Sequence, residues 1–519
     1  MPADSADAEP GRSCGRGGRA KVNAILINRE DTVVVALEPL SAGERAEYEG
    51  GSIPVRQDIP RGHKIAREDM PAGTRVVKYG QPIGTLTADV TAGDWIHAHN
   101  LTTDLSGEVE YTYTPNVHEL TPVQPETFMG YRRPDGSVGI RNEVWIIPTV
   151  VCSSAIAREV AAEARIRGLA QGSVEAVRCF EHPFGCSQVG DDLEQTGRVL
   201  AGLARHPNAG AVLVLSLGCE ELTRDKFLEF LGPYDKERIA FITCQDEEDE
   251  VAASLAALER LCAYAGEFKR EPVPASELVI GLECGGSDGL SGITANPVIG
   301  RVSDTLVARG GTSVLAEVPE MFGGEAFLLD RCRDRATFDK AAGMVNWFKD
   351  YFLSHNTPVY DNPSPGNKAG GITTLEDKSC GCVQKGGTAP VSGVVARYGD
   401  PLPRDRRGLM LYNTPGNDPS SVTGLAAAGC HMVLFSTGRG TPFEAPVPTL
   451  KISSNSALAQ RKPGWIDFDA GSVATGARTI EQAGRDLYQQ VLRVANGEQT
   501  RSEARGLQGI SIWKNGVTL

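Results

Sequence analysis

Apolar and polar positions along this chain change rhythm twice. Between Val22 and Leu101, short apolar runs alternate with turn signals. Thr32-Val33-Val34-Val35-Ala36-Leu37 reads as a strand. Ser41-Ala42-Gly43, Glu49-Gly50-Gly51, Pro60-Arg61-Gly62, Pro71-Ala72-Gly73 and Thr91-Ala92-Gly93 read as turns. Such a density of turns predicts a small β-rich domain over 22–101. Residues 102–127 are polar, contain proline and read as a linker. From Phe128 onward, apolar strands alternate with helical stretches. Val144–Ile147, Ala211–Leu215 and Ile239–Ile242 are predicted strands. Ser153-Ser154 is expected to cap an alanine-rich helix running to about Arg167. Asp246 to Glu250 puts acidic residues at the start of another helix, where its dipole favours them. The charged stretch Lys269 to Pro274 marks a boundary, leaving α/β domains over 128–270 and 275–519. In the last of these, Leu278–Leu282, Ser313–Ala316, Leu409–Tyr412 and Met432–Phe435 are predicted strands. This alternation argues for open, mostly parallel, doubly wound sheets. The predicted fold class is therefore α/β: a small N-terminal β-rich domain and a large doubly wound region in two domains.

The stretch from Leu278 to Gly300 is where this pattern points to chemistry. An apolar strand runs into Cys284-Gly285-Gly286-Ser287-Asp288-Gly289, a loop that lets backbone N–H groups approach a ligand. Asn296-Pro297 then reads as the N-cap and first turn of a helix. Strand, glycine loop and helix start together build a site at the carboxyl end of a strand. Nearly every predicted strand of the α/β region ends in a loop rich in Gly, Cys, Asp or Asn.

Composition narrows the classes. The 519 residues are 41% hydrophobic and 23% charged, with no apolar run near the ~20 residues of a membrane span. Residues 1–21 lack the apolar core of a secretory signal and read as a disordered tail. A net charge of −14 argues against nucleic acid as a partner. Twelve cysteines without a secretion signal are expected as reduced thiols in the cytoplasm. His97 and His99 have the period-two spacing that, on a strand, places both imidazoles on one face, where they could share a metal.

Longer motifs carry a resemblance. The turn series with Arg61-Gly62-His63-Lys64, Lys78 to Gly84 (KYGQPIG) and His97 to Asn100 (HAHN) resembles a SAF domain, a β-clip-like fold. GYRRPDGSVGIRNE (Gly130 to Glu143), HPFGCSQ (His182 to Gln188), HPNAGAVLVLSLGCE (His206 to Glu220), LECGGSDGLSGITANP (Leu282 to Pro297), EVPEMFG (Glu317 to Gly323), NPSPGNKAGGITTLEDKS (Asn362 to Ser379) and GCHMVLFSTGRGTP (Gly429 to Pro442) resemble motifs of the altronate/galactarate dehydratase family, altronate dehydratases foremost. The resemblance implies loss of water from a sugar acid to give a 2-keto-3-deoxy sugar acid. Galactarate dehydration and C–S cleavage of sulfolactate are the neighbouring lyase readings. A non-catalytic sugar-acid binding protein is the reading from another class.

Such an elimination needs a base at C2, a positive group for the developing charge, and help for the leaving C3 hydroxyl. His182 and His431, each near Gly and Cys, are the candidate acid/base groups. His97 and His99, with His63 as a third, are the candidate metal ligands. The resemblance implies iron(II), with manganese as the alternative. Arg132, Arg133, Arg141, Lys368 and Arg439 are candidates for the substrate carboxylate, and Asp288, Asn413, Asn417 and Asp418 are short polar groups suited to its hydroxyls or to a metal. Cys186, Cys219, Cys284 and Cys382 each flank a glycine, and four such thiolates could hold an iron–sulfur cluster. The expected partners are a small sugar acid and other copies of the chain, with no membrane.

Overall fold

The computed structural model describes residues 22–516. The stretch read as a tail, 1–21, lies outside them. Residues 22–102 form three small antiparallel sheets. Val33–Ala36 lies in a four-stranded sheet with Ala24–Ile25, Lys64–Ala66 and Trp95–Ile96. Arg45–Tyr48 pairs with Gly51–Pro54, and Gln81–Leu86 lies between Arg75–Lys78 and Leu101–Thr102. Alternation along the strands sends Val34, Ile53 and Ile65 into one core and Val33, Val76 and Ile83 into another. The strand with Trp95 is two residues long. His97 begins a turn, held by its own N–H donating to Asn100 Oδ1. His97 and His99 therefore do not share a strand face, contrary to expectation: His97 is half-buried and His99 is exposed.

Residues 103–126 contain no helix or strand, yet they are docked along the C-terminal domain. Tyr111 donates to Glu325 at 2.9 Å and accepts from Lys349 at 2.8 Å. Leu105, Tyr113 and Leu120 pack on that domain's core. The segment is a strap rather than a free tether.

The second domain has a parallel sheet in the order Val177–Cys179, Glu143–Pro148, Ala209–Ser216, Ile239–Thr243. Its first helix spans Val151–Ile166 and is not capped by Ser153-Ser154. Val151 N–H donates to Phe184 O, and Ser153 Oγ turns back onto Val150 O and Leu215 O, so a neighbouring loop replaces the cap. The helix Glu250–Gly266 starts behind Asp249, whose carboxylate accepts from Ala252 N–H. Arg270–Pro274 pairs antiparallel with Thr127–Arg132, so the stretch read as a boundary is a β-ribbon tie.

The C-terminal domain is built on seven parallel strands, ordered Val391–Val395, Gly408–Tyr412, Thr312–Leu315, Val279–Cys284, Met432–Thr437, Thr449–Ser453, Phe468–Asp469. Both faces are covered, as a parallel sheet requires. Ala295–Ala308 and Ile480–Ala495 pack on one side and Asp418–Ala428 on the other. The helix Asp418–Ala428 also meets Asp191–Arg205 of the second domain. At Gly202 a Cβ would stand 2.4 Å from Ala427 O, so glycine permits the close helix crossing. Trp145 and Leu200 share one core with Leu425 and Phe435, which fuses the two α/β domains. Among the described residues, no helix is long and apolar enough to cross a membrane.

Candidate metal and active centre

The strand Val279–Cys284 is the central one of its sheet and is almost wholly buried. Its last two side chains point to opposite faces, and each meets a separate group of donors. Cys284 Sγ lies 3.4 Å from Cys382 Sγ and donates to Glu320 Oε2 at 2.8 Å. Glu283 sits with Glu317 and Asp418. In each of these two trios one ligand atom per residue lies within 4.8 Å of the others. They are the two such groups among the described residues.

Each donor is delivered by a strand end or a helix end. Glu317 follows the strand Thr312–Leu315 with φ of 63°, a left-handed conformation uncommon for a residue with a side chain. That turn sends its N–H to Thr414 Oγ1 and its Oε2 to Cys284 N–H, at 2.7 and 2.8 Å. Glu320 lies in the short helical turn that follows. Cys382 ends the helix Leu375–Cys382, and Asp418 opens the helix Asp418–Ala428 behind its cap Asn417. Gly285 makes room for Asp418: a Cβ there would stand 2.0 Å from Asp418 Oδ2.

Two buried cations border the nest. Lys378 pairs with Glu320 at 2.5 Å and Lys385 with Glu317 at 3.2 Å. Four carboxylates face these two ammonium groups, an excess of two negative charges when all ionise. Burial, then the Glu317 charge, pushes the Glu283 carboxyl well up. Burial and Glu320 raise Glu317 to about 7, and the same causes raise Asp418 to about 6. Burial would raise Glu320 too, but Lys378 and Lys385 outweigh it and hold the group at about 2. The Cys284 thiol is pushed up by its contact with Cys382, by burial and by the nearby carboxylates. Glu283 Oε1 and Glu317 Oε1 are buried with no hydrogen-bond partner among the described residues. Orphaned buried oxygens and an unbalanced charge of two are what a divalent cation resolves. The donor set fits one: two thiols and a carboxylate for a softer ion, three carboxylates for a harder one.

The N-terminal domain closes this region through a buried ion triplet. Lys64 and Lys78 both donate to Asp377, at 2.7 and 2.8 Å, with all three side chains essentially inaccessible. Asp377 is one residue before Lys378 on the helix Leu375–Cys382. Outside the nest, Arg61, Arg439 and Arg461 line a cleft of about 320 Å³ with Asp288. Asp288 also borders a much smaller void that reaches Lys378 and Cys382.

Some predicted site residues converge here and others do not. Cys284 and Cys382 are in the nest. Cys186 and Cys219 belong to second-domain loops, where Cys186 touches Ser187 and Cys219 accepts from Gln245. Among the described residues the four thiols do not form one ligand group: the group that holds Cys284 and Cys382 is completed by Glu320. His63, His97 and His99 are not a metal trio. The rings of His63 and His97 meet edge-on with centroids 4.9 Å apart. His63 Nδ1 accepts from Trp95 Nε1, and His97 Nδ1 pairs with Thr373 Oγ1. His182 and His431 are structural rather than acid/base groups. His182 spends both ring nitrogens on Pro148 O and Phe184 N–H. His431 accepts from Val279 N–H and bonds the Val138 backbone with its other nitrogen, at the end of the sheet away from the nest.

Arg132, Arg133 and Arg141 are also corrected. Arg132 is exposed and pairs with Glu271. Arg133 is buried on Pro207 O, Asn142 Oδ1 and Arg141 O. Arg141 is clamped by Glu503, Val494 O and Glu498 O. Lys368 is exposed. Asp288 braces its loop, accepting from Ser291, Ser454 and Asn455. Asn413 donates to Ala396 O, and its buried Oδ1 has no partner among the described residues. Asn296 does not cap its helix, which starts at Ala295. It turns inward to Gly381 O and Ser436 Oγ.

Residues missed in the sequence include Glu283, Glu317, Glu320, Lys378, Lys385 and the Lys64–Lys78–Asp377 triplet. The available signal was a charged residue fused to an apolar strand end, as in Leu282-Glu283-Cys284 and Leu315-Ala316-Glu317.

Fold and site together define a three-part α/β protein whose cation-ready nest is closed by a β-rich domain. Three family models match in succession: the altronate/galactarate dehydratase SAF domain over 22–104, the D-galactarate dehydratase/altronate hydrolase second domain over 130–266, and the D-galactarate/altronate dehydratase C-terminal domain over 275–518. The chain is 50% identical over 498 residues to an altronate dehydratase of Escherichia coli (strain K12), covering 95% of this chain and 99% of that one. It is 46% identical over 498 residues to an altronate dehydratase of Bacillus subtilis (strain 168), with the same coverage. A galactarate dehydratase (L-threo-forming) of Escherichia coli (strain K12) is 32% identical over 93% of this chain and 95% of its own length. The chain belongs to the altronate/galactarate dehydratase family.

Proposed function

We propose that this hydro-lyase dehydrates D-altronate to a 2-keto-3-deoxy sugar acid, using a divalent metal, iron(II) in first place. The carrying observation is the buried nest of Cys284, Glu320 and Cys382 beside Glu283, Glu317 and Asp418, with two orphaned carboxylate oxygens and an excess of two negative charges. Cys284, Glu320 and Cys382 would hold the ion, because thiolate donors suit iron(II) better than a hard cation. A metal there supplies a Lewis acid for the substrate's oxygen atoms.

The chain's own groups divide the remaining work. Arg61, Arg439 and Arg461 line the cleft that would receive the acid's carboxylate, and arginine binds carboxylate through paired N–H groups. Glu317 Oε1, beside Glu283, has unused lone pairs and is the acceptor for the C2 proton. Lys378 and Lys385 place positive charge where the enediolate-like charge would grow. Closure by the N-terminal domain excludes water, which strengthens each of these interactions. A cytoplasmic setting and self-association belong to the same reading.

The test is anaerobic incubation with iron(II) and, separately, D-altronate, galactarate and sulfolactate, followed by assay for a 2-keto acid and sulfite. Altronate is expected to turn over fastest. Faster turnover of galactarate or sulfolactate would move the assignment to that acid. Binding without product from any of the three would leave a sugar-acid binding protein.

A further inference from the structure

A cavity of about 410 Å³ opens at the far end of the sheet that carries the nest. Val279 and Thr312 line it at the amino ends of strands that lead to Glu283 and Glu317. Both α/β domains and the loop 401–407 contribute walls. Four arginines face the cavity: Arg205, Arg404, Arg406 and Arg407. Two acids answer them, Asp135 on Arg404 at 2.9 Å and Glu277 on Arg407 at 3.0 Å. Arg205 and Arg406 form no ion pair among the described residues. Arg205 donates through one nitrogen to Phe230 O and Leu231 O, and Arg406 through one nitrogen to Ser392 O. Their remaining guanidinium donors have no partner among the described residues. A local excess of positive charge in a chain of net charge −14 marks a site for an anion. The floor, made by Val138, Leu402, Met410 and Ala428, is apolar and offers a polyhydroxylated chain no hydrogen bonds.

We propose that this cavity binds an organic anion with an apolar body, headed by a carboxylate or a phosphate, as an effector of the nest. The connecting element is the helix Asp418–Ala428. Its first residue belongs to the carboxylate trio, and Ala427 and Ala428 line the cavity. Its eleven residues span about 16 Å as one rigid rod. A ligand against its last turn therefore bears directly on Asp418.

The probe is 8-anilinonaphthalene-1-sulfonate, an apolar anion, titrated by fluorescence into the full chain loaded with metal. Saturable binding is expected, weakened at least tenfold in the double variant Arg404→Ala/Arg406→Ala. Benzoate and phenyl phosphate share an apolar ring and differ in head group, so the stronger competitor identifies the head. At saturating competitor the metal affinity of the nest should change at least twofold in the unmodified chain and not in the double variant. Non-saturable binding, equal affinity in the double variant, or no displacement by either competitor overturns the site. An unchanged metal affinity overturns the effector role. Because binding is read without turnover, failure here leaves the dehydratase reading intact.

Discussion

Cys284 and Cys382 are 98 residues apart in sequence and their sulfur atoms are 3.4 Å apart in the fold. One ends the central strand of the sheet, and the other ends the helix that the N-terminal domain clamps. Both side chains are buried, and the contact with Cys382, burial and the nearby carboxylates hold the Cys284 thiol protonated until a cation offsets the cost of its ionisation. Cys284→Ala and Cys382→Ala should each lower metal affinity at least a hundredfold, with far-UV circular dichroism unchanged. Chelation should abolish activity, and iron(II) should restore it in the parent but not in the variants. Metal content by elemental analysis, read beside the turnover rate, checks both points. Full metal occupancy in either variant would show that the thiols are packing groups.

Gly285 tests the carboxylate half of the nest without removing a carboxylate. A Cβ there would stand 2.0 Å from Asp418 Oδ2 and 2.6 Å from Phe435 Cζ. Neither contact is tolerable, and the phenyl ring is locked in the core while the carboxylate is at the head of a helix. Gly285→Ala should therefore displace Asp418 and cost a hundredfold or more in kcat, with a fall in stability of about 1–3 kcal/mol typical of overpacking. Urea unfolding and steady-state kinetics separate the two effects. Unaltered kcat in a folded Gly285→Ala protein would remove Asp418 from the chemistry.

Asp377 is the anchor between the N-terminal domain and the rest. It neutralises two buried ammonium groups, Lys64 and Lys78. One carboxylate is insufficient for both: burial, countered only in part by Asp377, lowers Lys64 to about 8, while Lys78 is raised. Asp377→Asn strands both charges and should destabilise the closed arrangement by about 3–5 kcal/mol. Limited proteolysis should then release residues 22–102 faster. Lys64→Met in the same chain should recover part of the loss, because one stranded charge is removed. No change in proteolysis would mean that the strap, residues 103–126, holds the domain without the triplet.

The layered architecture was legible because apolar runs and turn signals report directly on strands. Val33–Ala36, Ala209–Ser216, Gly408–Tyr412 and Met432–Thr437 all fall on predicted runs. The flanking glycines marked Cys284 and Cys382 in the sequence but marked Cys186 and Cys219 equally, and only the fold separates the two pairs. The histidines misled for a physical reason. An imidazole can satisfy two backbone groups at once, so His182 and His431 serve as braces where the chain turns. Arg141 misled in the same way, since five donors let it tie three segments together. Glu317 and Glu320 were hidden because their partners, Lys385 and Lys378, lie about sixty residues away in sequence. Local pattern carries no information on such pairs.

The buried histidines make the pH dependence of stability testable. Burial lowers His182 to about 4 from an ordinary 6.5. The unfolded chain therefore binds this proton more readily than the folded one. Stability is fully present above pH 6.5 and is lost as pH falls toward 4, at about 1.4 kcal/mol per pH unit. The raised carboxyls of Glu283, Glu317 and Asp418 act in the opposite sense, because they are protonated first in the folded state. The difference between the parent and His182→Asn isolates the histidine. It should narrow by about 2 kcal/mol between pH 7.5 and pH 5 in urea unfolding. A pH-independent difference would mean that His182 takes up its proton as readily in the folded chain as in the unfolded one.

Arg439 is the predicted arginine that the structure leaves at the cleft. It is exposed, and the hydrogen bond that it donates to Gly366 O is long at 3.4 Å. Its Cβ lies near Gly286, two residues beyond Cys284, and the side chain lines the cleft together with Asp288. Arg61 joins it from the N-terminal domain and Arg461 from the helix Ser456–Arg461. A charge-assisted hydrogen bond to a carboxylate contributes about 1.5–3 kcal/mol, so Arg439→Ala should raise KM about 10- to 150-fold. If the arginine only positions the acid, kcat should fall less than threefold. Arg439→Lys should recover charge but not the paired geometry, and hence only part of the affinity. Arg61→Ala should raise KM in the same way, because that residue lines the same cleft from the N-terminal domain. A kcat loss without a KM change in Arg439→Ala would place the arginine at the reacting carbons instead of the carboxylate. An unchanged KM and kcat would mean that the acid enters by another face of the nest.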